Sequence, residues 1–332
     1  MQQRKLGSSG PVTSAIGLGC MGMSEFYGDS DDAASLRTLA RALELGVSLF
    51  DTADTYGLGR NEALLGRFIA EGGAARRAQM VLATKFGIVR AEGSYERRID
   101  NSPAYIRRAC EDSLRRLGVE RIDLYYCHRR DPAVPIEEVV GVLGELVRAG
   151  KVGAIGLSEV SEETLRRAHA VHPVAALQSE LSLWSRAPEN GMLAACAELG
   201  TAFVAYSPLG RAFLTGTLQV EQLAGNDFRR NNPRFTGAAG ESNRQLVAAL
   251  AEFAAARGIT SSQVALAWLL CKYPQVIPIP GTRRIAWLES NVAAVDVQLA
   301  PQELAQLDAL FDPGRVAGAR YPDAGFVGME TR

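Results

Sequence analysis

Ile16-Gly17-Leu18-Gly19-Cys20-Met21-Gly22, followed by Met23-Ser24-Glu25-Phe26-Tyr27-Gly28-Asp29-Ser30-Asp31-Asp32, is the stretch on which the fold of this chain turns. It contains G-x-G-x-x-G directly after an apolar run. In an open, doubly wound sheet those glycines lead straight into a helix whose N-terminus holds a pyrophosphate, and an acidic residue about 20 positions on reads the ribose. Neither condition is met. Gly22 leads into turn residues, helical character begins near Asp32, and the next strand reaches its acidic residue only at Asp51. The glycines therefore read as a tight turn at a strand end, and the open sheet becomes the second choice.

Outward from this stretch, short apolar runs alternate with longer amphipathic ones, the pattern of repeated βαβ units. The strand candidates are Ile16–Cys20, Leu49–Ala53, Met80–Lys85, Asp123–His128, Ala154–Ser158, Ala175–Ser179, Ala202–Ser207 and Val276–Pro280. Between them, helices are predicted over Asp32–Leu45, Glu62–Glu71, Pro103–Arg116, Pro135–Arg148, Glu162–Val171, Pro188–Leu199, Ser242–Arg257 and Ile285–Ala294. Ser102-Pro103 and Gly118 supply start and stop signals for one of them. Eight strands with eight helices fit a closed α/β (β/α)₈ TIM barrel, in one domain spanning residues 1–332. Outside the repeat, Arg4–Leu6 and Val12–Ser14 read as a hairpin plugging the barrel bottom. Extra helices are expected at Ser262–Lys272 and Pro301–Phe311. The Gly/Asn/Arg-rich segment Gly210–Gly240 reads as a functional loop.

Composition narrows the function. The 36 basic and 37 acidic residues nearly cancel, so no global field favours nucleic acid or an anionic membrane. The arginine pairs 76–77, 107–108, 115–116 and 229–230 have the spacing and acidic neighbours of solvated faces. Five separated cysteines, with no C-x-x-C, read as buried thiols in a reducing compartment. No signal peptide or membrane span is apparent, so a cytoplasmic location is expected. His169 and His172 fall away from the predicted mouth, and no metal site is expected.

In a parallel barrel, polar residues at the C-terminal strand ends share one mouth. Asp51 and Tyr56 in LFDTADTYG, Lys85 in VLATKFG and His128 in DLYYCHR would all face it. Together they suit carbonyl reduction, which needs hydride on carbon and a proton on oxygen. Tyr56 is the candidate acid, Lys85 would ease its ionisation, Asp51 would hold the lysine charged, and His128 would donate to the carbonyl oxygen. Trp184, Phe26, Tyr27 and Arg129 are candidates to line the substrate mouth.

The ordered motifs DTADTYG, ATKFG, DLYYCHR, GLSE, LQSE, AYSPLGR and IPGTRR resemble the aldo-keto reductase superfamily over about residues 4–311. HAVHP, SLWSR and GLSE resemble its perakine-reductase-like branch. The resemblance implies a small carbonyl substrate, the tetrad Asp51, Tyr56, Lys85 and His128, and NADPH bound extended across the strand ends. It places Gly19, Cys20, Met21 and Asp51 along the cofactor, Ser158 and Gln178 at the nicotinamide carboxamide, and Tyr206 on the ring. Ser207, Leu209 and Arg211 fall on the loop over the pyrophosphate. Gly281, Thr282 and Arg283 fall at the 2′-phosphate, where a planar guanidinium suits a dianion, and Glu289 and Asn291 near adenine. Glu159 departs from a common asparagine, and Trp287 from an arginine that some members use for the phosphate, placing more weight on Arg283 or Arg284. Two rival readings keep the fold: a cofactor-binding redox-sensing or regulatory subunit with little turnover, and a Schiff-base aldolase using Lys85.

Overall fold

The computed structural model describes residues 1–92 and 96–330, so residues 93–95 and 331–332 of the expected domain lie outside the described part. The chain opens with a hairpin of β1 (Gln3–Lys5) and β2 (Val12–Ser14). Next come β3 (Leu18–Gly19), β4 (Leu49–Asp51) and β5 (Val81–Phe86). A second hairpin, β6 (Ile88–Arg90) with β7 (Arg97–Ile99), follows β5. The parallel series resumes as β8 (Ile122–Cys127), β9 (Val152–Ser158), β10 (Val174–Glu180), β11 (Ala202–Tyr206) and β12 (Val276–Pro278). All eight strand candidates are strands.

Each of these parallel strands pairs with the next. The seam closes through the parallel bridge Gly19↔Gly281 and the hydrogen bond from Gly17 N to Pro278 O at 2.9 Å. The glycine stretch thus works at the seam of a barrel. A Cβ on Gly19 would stand 2.9 Å from the carbonyl oxygen of Ile279, inside any real contact. Only a short 3-10 turn, Met21–Met23, follows, and α1 (Asp32–Glu44) begins ten residues beyond Gly22, capped by the Asp31 side chain on Ala33 N.

The remaining helices wrap the sheet: α2 (Arg60–Arg77), α3 (Pro103–Leu117), α4 (Ile136–Arg148), α5 (Glu162–Val171), α6 (Met192–Leu199), α7 (Gly237–Ala256), α8 (Ser261–Lys272), α9 (Ile285–Ala293) and α10 (Pro301–Leu310). The sixth starts later than Pro188 because Gly191, at φ 105°, separates it from a 3-10 turn over Ala187–Glu189. α2 runs past its expected end at Glu71, with Gly73 as a kink. The hairpin of β6 and β7 falls outside the sequence expectation, because strands of three residues each carry no periodic signal.

Two apolar layers hold this together. Outside, helix faces pack on the sheet through residues such as Leu39, Phe68, Ile106, Leu143, Leu165 and Trp268. Inside, Leu49, Ala83, Leu124, Tyr126, Ala154, Ala176, Val204 and Ile277 fill the barrel, and Leu6 beside the first hairpin joins them from below. Small residues make room for Tyr126: a Cβ on Gly156 would lie 2.4 Å from its ring. The interior is packed, so chemistry is left to the mouth. No described helix is long and apolar enough to cross a membrane.

Candidate active site

The C-terminal ends of β4, β5 and β8 bring the four polar candidates together. Asp51 ends β4, Lys85 is the penultimate residue of β5, and His128 follows β8; all three are buried. Lys85 Nζ donates to Asp51 Oδ1 at 2.5 Å, to the Thr52 carbonyl at 2.7 Å and to the Tyr56 hydroxyl at 3.4 Å. Gln178, inward from β10, donates to the other Asp51 oxygen at 2.7 Å. The Tyr56 and His128 rings meet edge to face at 5.8 Å.

Tyr56 sits on a turn that ordinary residues adopt with difficulty. Gly57, Leu58 and Gly59 all have positive φ, at 56°, 54° and 89°. A brace from other loops holds it. Glu25 accepts from Gly57 N at 2.9 Å, and Arg90 binds Glu25 bidentately while donating to the hydroxyl and the carbonyl of Thr55. Sequence reading missed Glu25 and Arg90, since one lies in the segment after β3 and the other ends β6, 65 residues on.

The electrostatics differentiate the groups. Burial pushes the Tyr56 phenol above its ordinary value, with Lys85 pulling in the opposite direction. Burial also acts to lower Lys85, but Asp51 and Tyr56 outweigh it and hold the ammonium above its usual range. His128 is driven well below the usual histidine range, first by burial and then by Arg129 and Lys85, so its imidazole is neutral at pH 7. A neutral imidazole still has one N–H to donate, and its Nδ1 has no partner among the described residues.

The other candidates form an arc from β9 to the seam. Ser158 and Gln178 are register partners on β9 and β10, and Ser158 Oγ accepts from Arg129 at 3.1 Å. Tyr206 ends β11 with its hydroxyl 3.1 Å from that of Tyr321 in the C-terminal tail. Ser207 and Arg211 both have positive φ, Leu209 lies between them, and Arg211 pairs with buried Glu180 at 2.9 Å. At the seam, Cys20 is buried and Met21 half-exposed, while Thr282 Oγ1 accepts from Arg284 N. Arg283 donates to the carbonyls of Gly22 and Tyr27 at 3.1 and 3.0 Å, leaving further N–H groups available. On α9, Asn291 is buried, and Glu289 is engaged by Arg41 of α1 at 2.7 Å. Arg284 lies over the exposed Trp287 ring at 4.4 Å.

Glu159 does not face the arc alone. It accepts from Ser179 Oγ at 2.8 Å and Glu180 N at 3.0 Å, and pairs with Arg320 of the tail at 3.3 Å. The departure flagged in the sequence is thus an anchor for the tail, which is tied again by Arg130 to Glu330. Phe26 and Tyr27 pack against the Gly210–Gly240 segment, Phe26 edge-on to Phe228 and Tyr27 under Arg229. Trp184, expected at the mouth, is buried in a stack with Phe213 and Phe235 and packs against Gly210. A cleft of about 300 Å³ between Met23, Asp32, Arg60 and Arg67 lies off the mouth and holds none of these groups.

The family model for the aldo/keto reductase family matches residues 15–312. The aldo-keto reductase yakc of Schizosaccharomyces pombe, whose name carries NADP(+), is 42% identical over 323 residues, covering 96% of this chain and 94% of its own. A probable aldo-keto reductase 1 of Glycine max is 42% identical over 322 residues, covering 97% and 92%. Among solved structures, a glycerol dehydrogenase from Gluconobacter oxydans superposes with a TM-score of 0.84 at 30% identity, covering 94% of this chain and 96% of that one.

Beneath the Tyr56 turn, Asp54 yields a test of the local electrostatics. Burial and then Glu62 push its carboxyl up to about 8, against Arg116, the Tyr105 hydroxyl and the Thr55 N–H. In the unfolded chain it titrates near 4. Between those values the native state holds a proton that the unfolded state lacks, so stability falls as pH rises from about 4 through about 8. Asp54→Asn should resemble the wild type in thermal unfolding near pH 4 and exceed it at pH 9, the gap widening by roughly 4 °C or more. A gap independent of pH would contradict the assignment.

Proposed function

The chain belongs to the aldo/keto reductase family, and from that membership we propose that it reduces an aldehyde or ketone to the alcohol with NADPH, Tyr56 acting as general acid. The observation carrying this reading is the convergence of the Tyr56 hydroxyl and Asp51 on one buried ammonium, Lys85, beside a neutral His128. We read residues 1–332 as one reductase domain, and HAVHP, SLWSR and GLSE as marks of the perakine-reductase-like branch.

The residues present fit an extended dinucleotide. Gly19 and Gly281 bring bare backbone together at the seam, where a Cβ on Gly19 would stand only 2.9 Å from the Ile279 carbonyl oxygen, so the strand ends stay free of side chains there. Arg211 and Arg283 put guanidinium groups along the arc, with Ser158 and Gln178 at its other end. We assign Gly19, Cys20, Met21, Ser207, Leu209, Thr282, Glu289 and Asn291 to the same arc on the strength of the family resemblance. Bound there, NADPH supplies the hydride.

The chain's own groups handle the proton. Tyr56 transfers the hydroxyl proton to the carbonyl oxygen as that oxygen gains negative charge, and the phenolate left behind is stabilised by Lys85 Nζ. Asp51 keeps the ammonium charged and aimed, and Gln178 keeps Asp51 aimed. The neutral His128 donates its N–H to the same carbonyl oxygen and orients the substrate. Burial strengthens each of these interactions relative to water. The same ion pair argues against the aldolase alternative, which needs a neutral lysine without a paired carboxylate. No observation favours a regulatory subunit without turnover.

Two measurements check this reading. Tyr56→Phe should abolish nearly all NADPH-linked reduction of common aldehydes while cofactor affinity, followed by fluorescence titration, changes little; undiminished turnover would remove Tyr56 as the acid. For the cofactor, Arg283→Ala should weaken NADPH at least tenfold more than NADH. Equal losses would assign Arg283 only to holding the Gly22–Tyr27 loop.

A further inference from the structure

Most cations around the barrel mouth have a carboxylate partner. Lys85 has Asp51, Arg90 has Glu25, Arg320 has Glu159, and Arg211 and Arg234 share Glu180. Arg129 and Arg97 have none in ion-pair reach among the described residues. Arg129 follows His128 directly and is 6% exposed. Its Nη1 donates to two neutral oxygens, the His128 carbonyl at 2.7 Å and Ser158 Oγ at 3.1 Å, and its buried Nε has no partner. Arg97, half-buried on β7, donates to the Ala324 carbonyl of the tail at 2.8 Å. The two charges act on each other, and both act on His128.

A guanidinium stays charged in a protein, and burying one without a counter-charge is costly. Glu159 acts on Arg129, but its oxygens are taken by Arg320, Ser179 and the Glu180 N–H. The site therefore carries an excess of positive charge next to the position of the reacting carbonyl. We propose that the substrates are carbonyl compounds bearing a carboxylate, which Arg129 binds through its fork of N–H donors with Arg97 adding charge behind it. This rests on the reductase reading, which places the carbonyl at Tyr56 and His128. Because Arg129 adjoins His128 in the chain, the carboxylate lies within a few atoms, or about one aromatic ring, of the carbonyl carbon. Binding both groups fixes the substrate at two points and orients it for reduction.

The test compares 4-carboxybenzaldehyde with methyl 4-formylbenzoate, alike in the aldehyde and different in charge, with NADPH and with wild type, Arg129→Gln, Arg129→Lys and Arg97→Gln. In parallel, calorimetry measures benzoate binding to each protein. The wild type should favour the carboxylate at least tenfold in kcat/KM, mainly through KM. Arg129→Gln should cut that ratio at least tenfold and weaken benzoate binding to match, Arg129→Lys should restore part, and Arg97→Gln should cut it at least threefold. A wild-type ratio near one overturns the proposal, as does a ratio that Arg129→Gln leaves intact while NADPH binding weakens. If neither aldehyde is reduced yet benzoate binds through Arg129, the reductase reading falls and the carboxylate site stands. If benzoate does not bind either, both fall.

Discussion

A fully buried ammonium constrains the rest of the site. Lys85 has no exposed surface, and an isolated charge there would cost several kcal/mol even after relaxation. The barrel meets that cost with one carboxylate, one backbone carbonyl and one phenol, so every donor direction of Nζ has an oxygen. Two of those oxygens come from the end of β4 and the third from the turn beyond it. The pairing of β4 with β5, in register Asp51↔Ala83, is therefore what sets the distance between the Tyr56 hydroxyl and the ammonium. A slip of one residue would turn Lys85 away from the mouth and leave Asp51 without its partner.

From that pair outward, the mouth is assembled by contacts between distant parts of the chain. The Arg90 and Glu25 brace fixes the Tyr56 turn, Gln178 fixes Asp51, and Glu159 with Arg320 draws the tail across Tyr206. Each brace is a charge-assisted or bidentate contact, the kind that adds geometry as well as energy. Arg129 stands out in this company because it is as buried as the others and lacks the carboxylate that they have.

How much of this could be read from the amino acids follows from what makes each feature. The eight strands were legible because a buried parallel strand is a short apolar run and its helix a longer amphipathic one, and Leu49–Asp51, Val81–Phe86 and Ile122–Cys127 emerged close to their expected bounds. Asp51, Lys85 and His128 were legible as candidates because a polar residue closing an apolar run can point only to the rim. The braces were not. Glu25 and Arg90 lie 65 residues apart, and Tyr206 and Tyr321 lie 115 apart, separations at which no local pattern signals contact. Trp184 was placed at the mouth by its position after β10, yet three-dimensional packing took it into an aromatic stack. The glycines of Gly17–Gly22 offered a familiar phosphate motif, and only the delayed start of α1 separated seam from cradle.

In the proposed mechanism Tyr56 is an acid whose ionisation Lys85 eases. The most direct measurement is the pH dependence of single-turnover carbonyl reduction, in the wild type and in Lys85→Met combined with Asp51→Asn so that no lone charge is left buried. The wild type should hold its rate to moderately alkaline pH and lose it as the phenol ionises. The double variant should be slower at its plateau, with that loss moved upward by about one unit or more, since the nearby ammonium is gone. An alkaline limb at the same pH in both proteins would show that Lys85 does not tune the acid and would contradict the account.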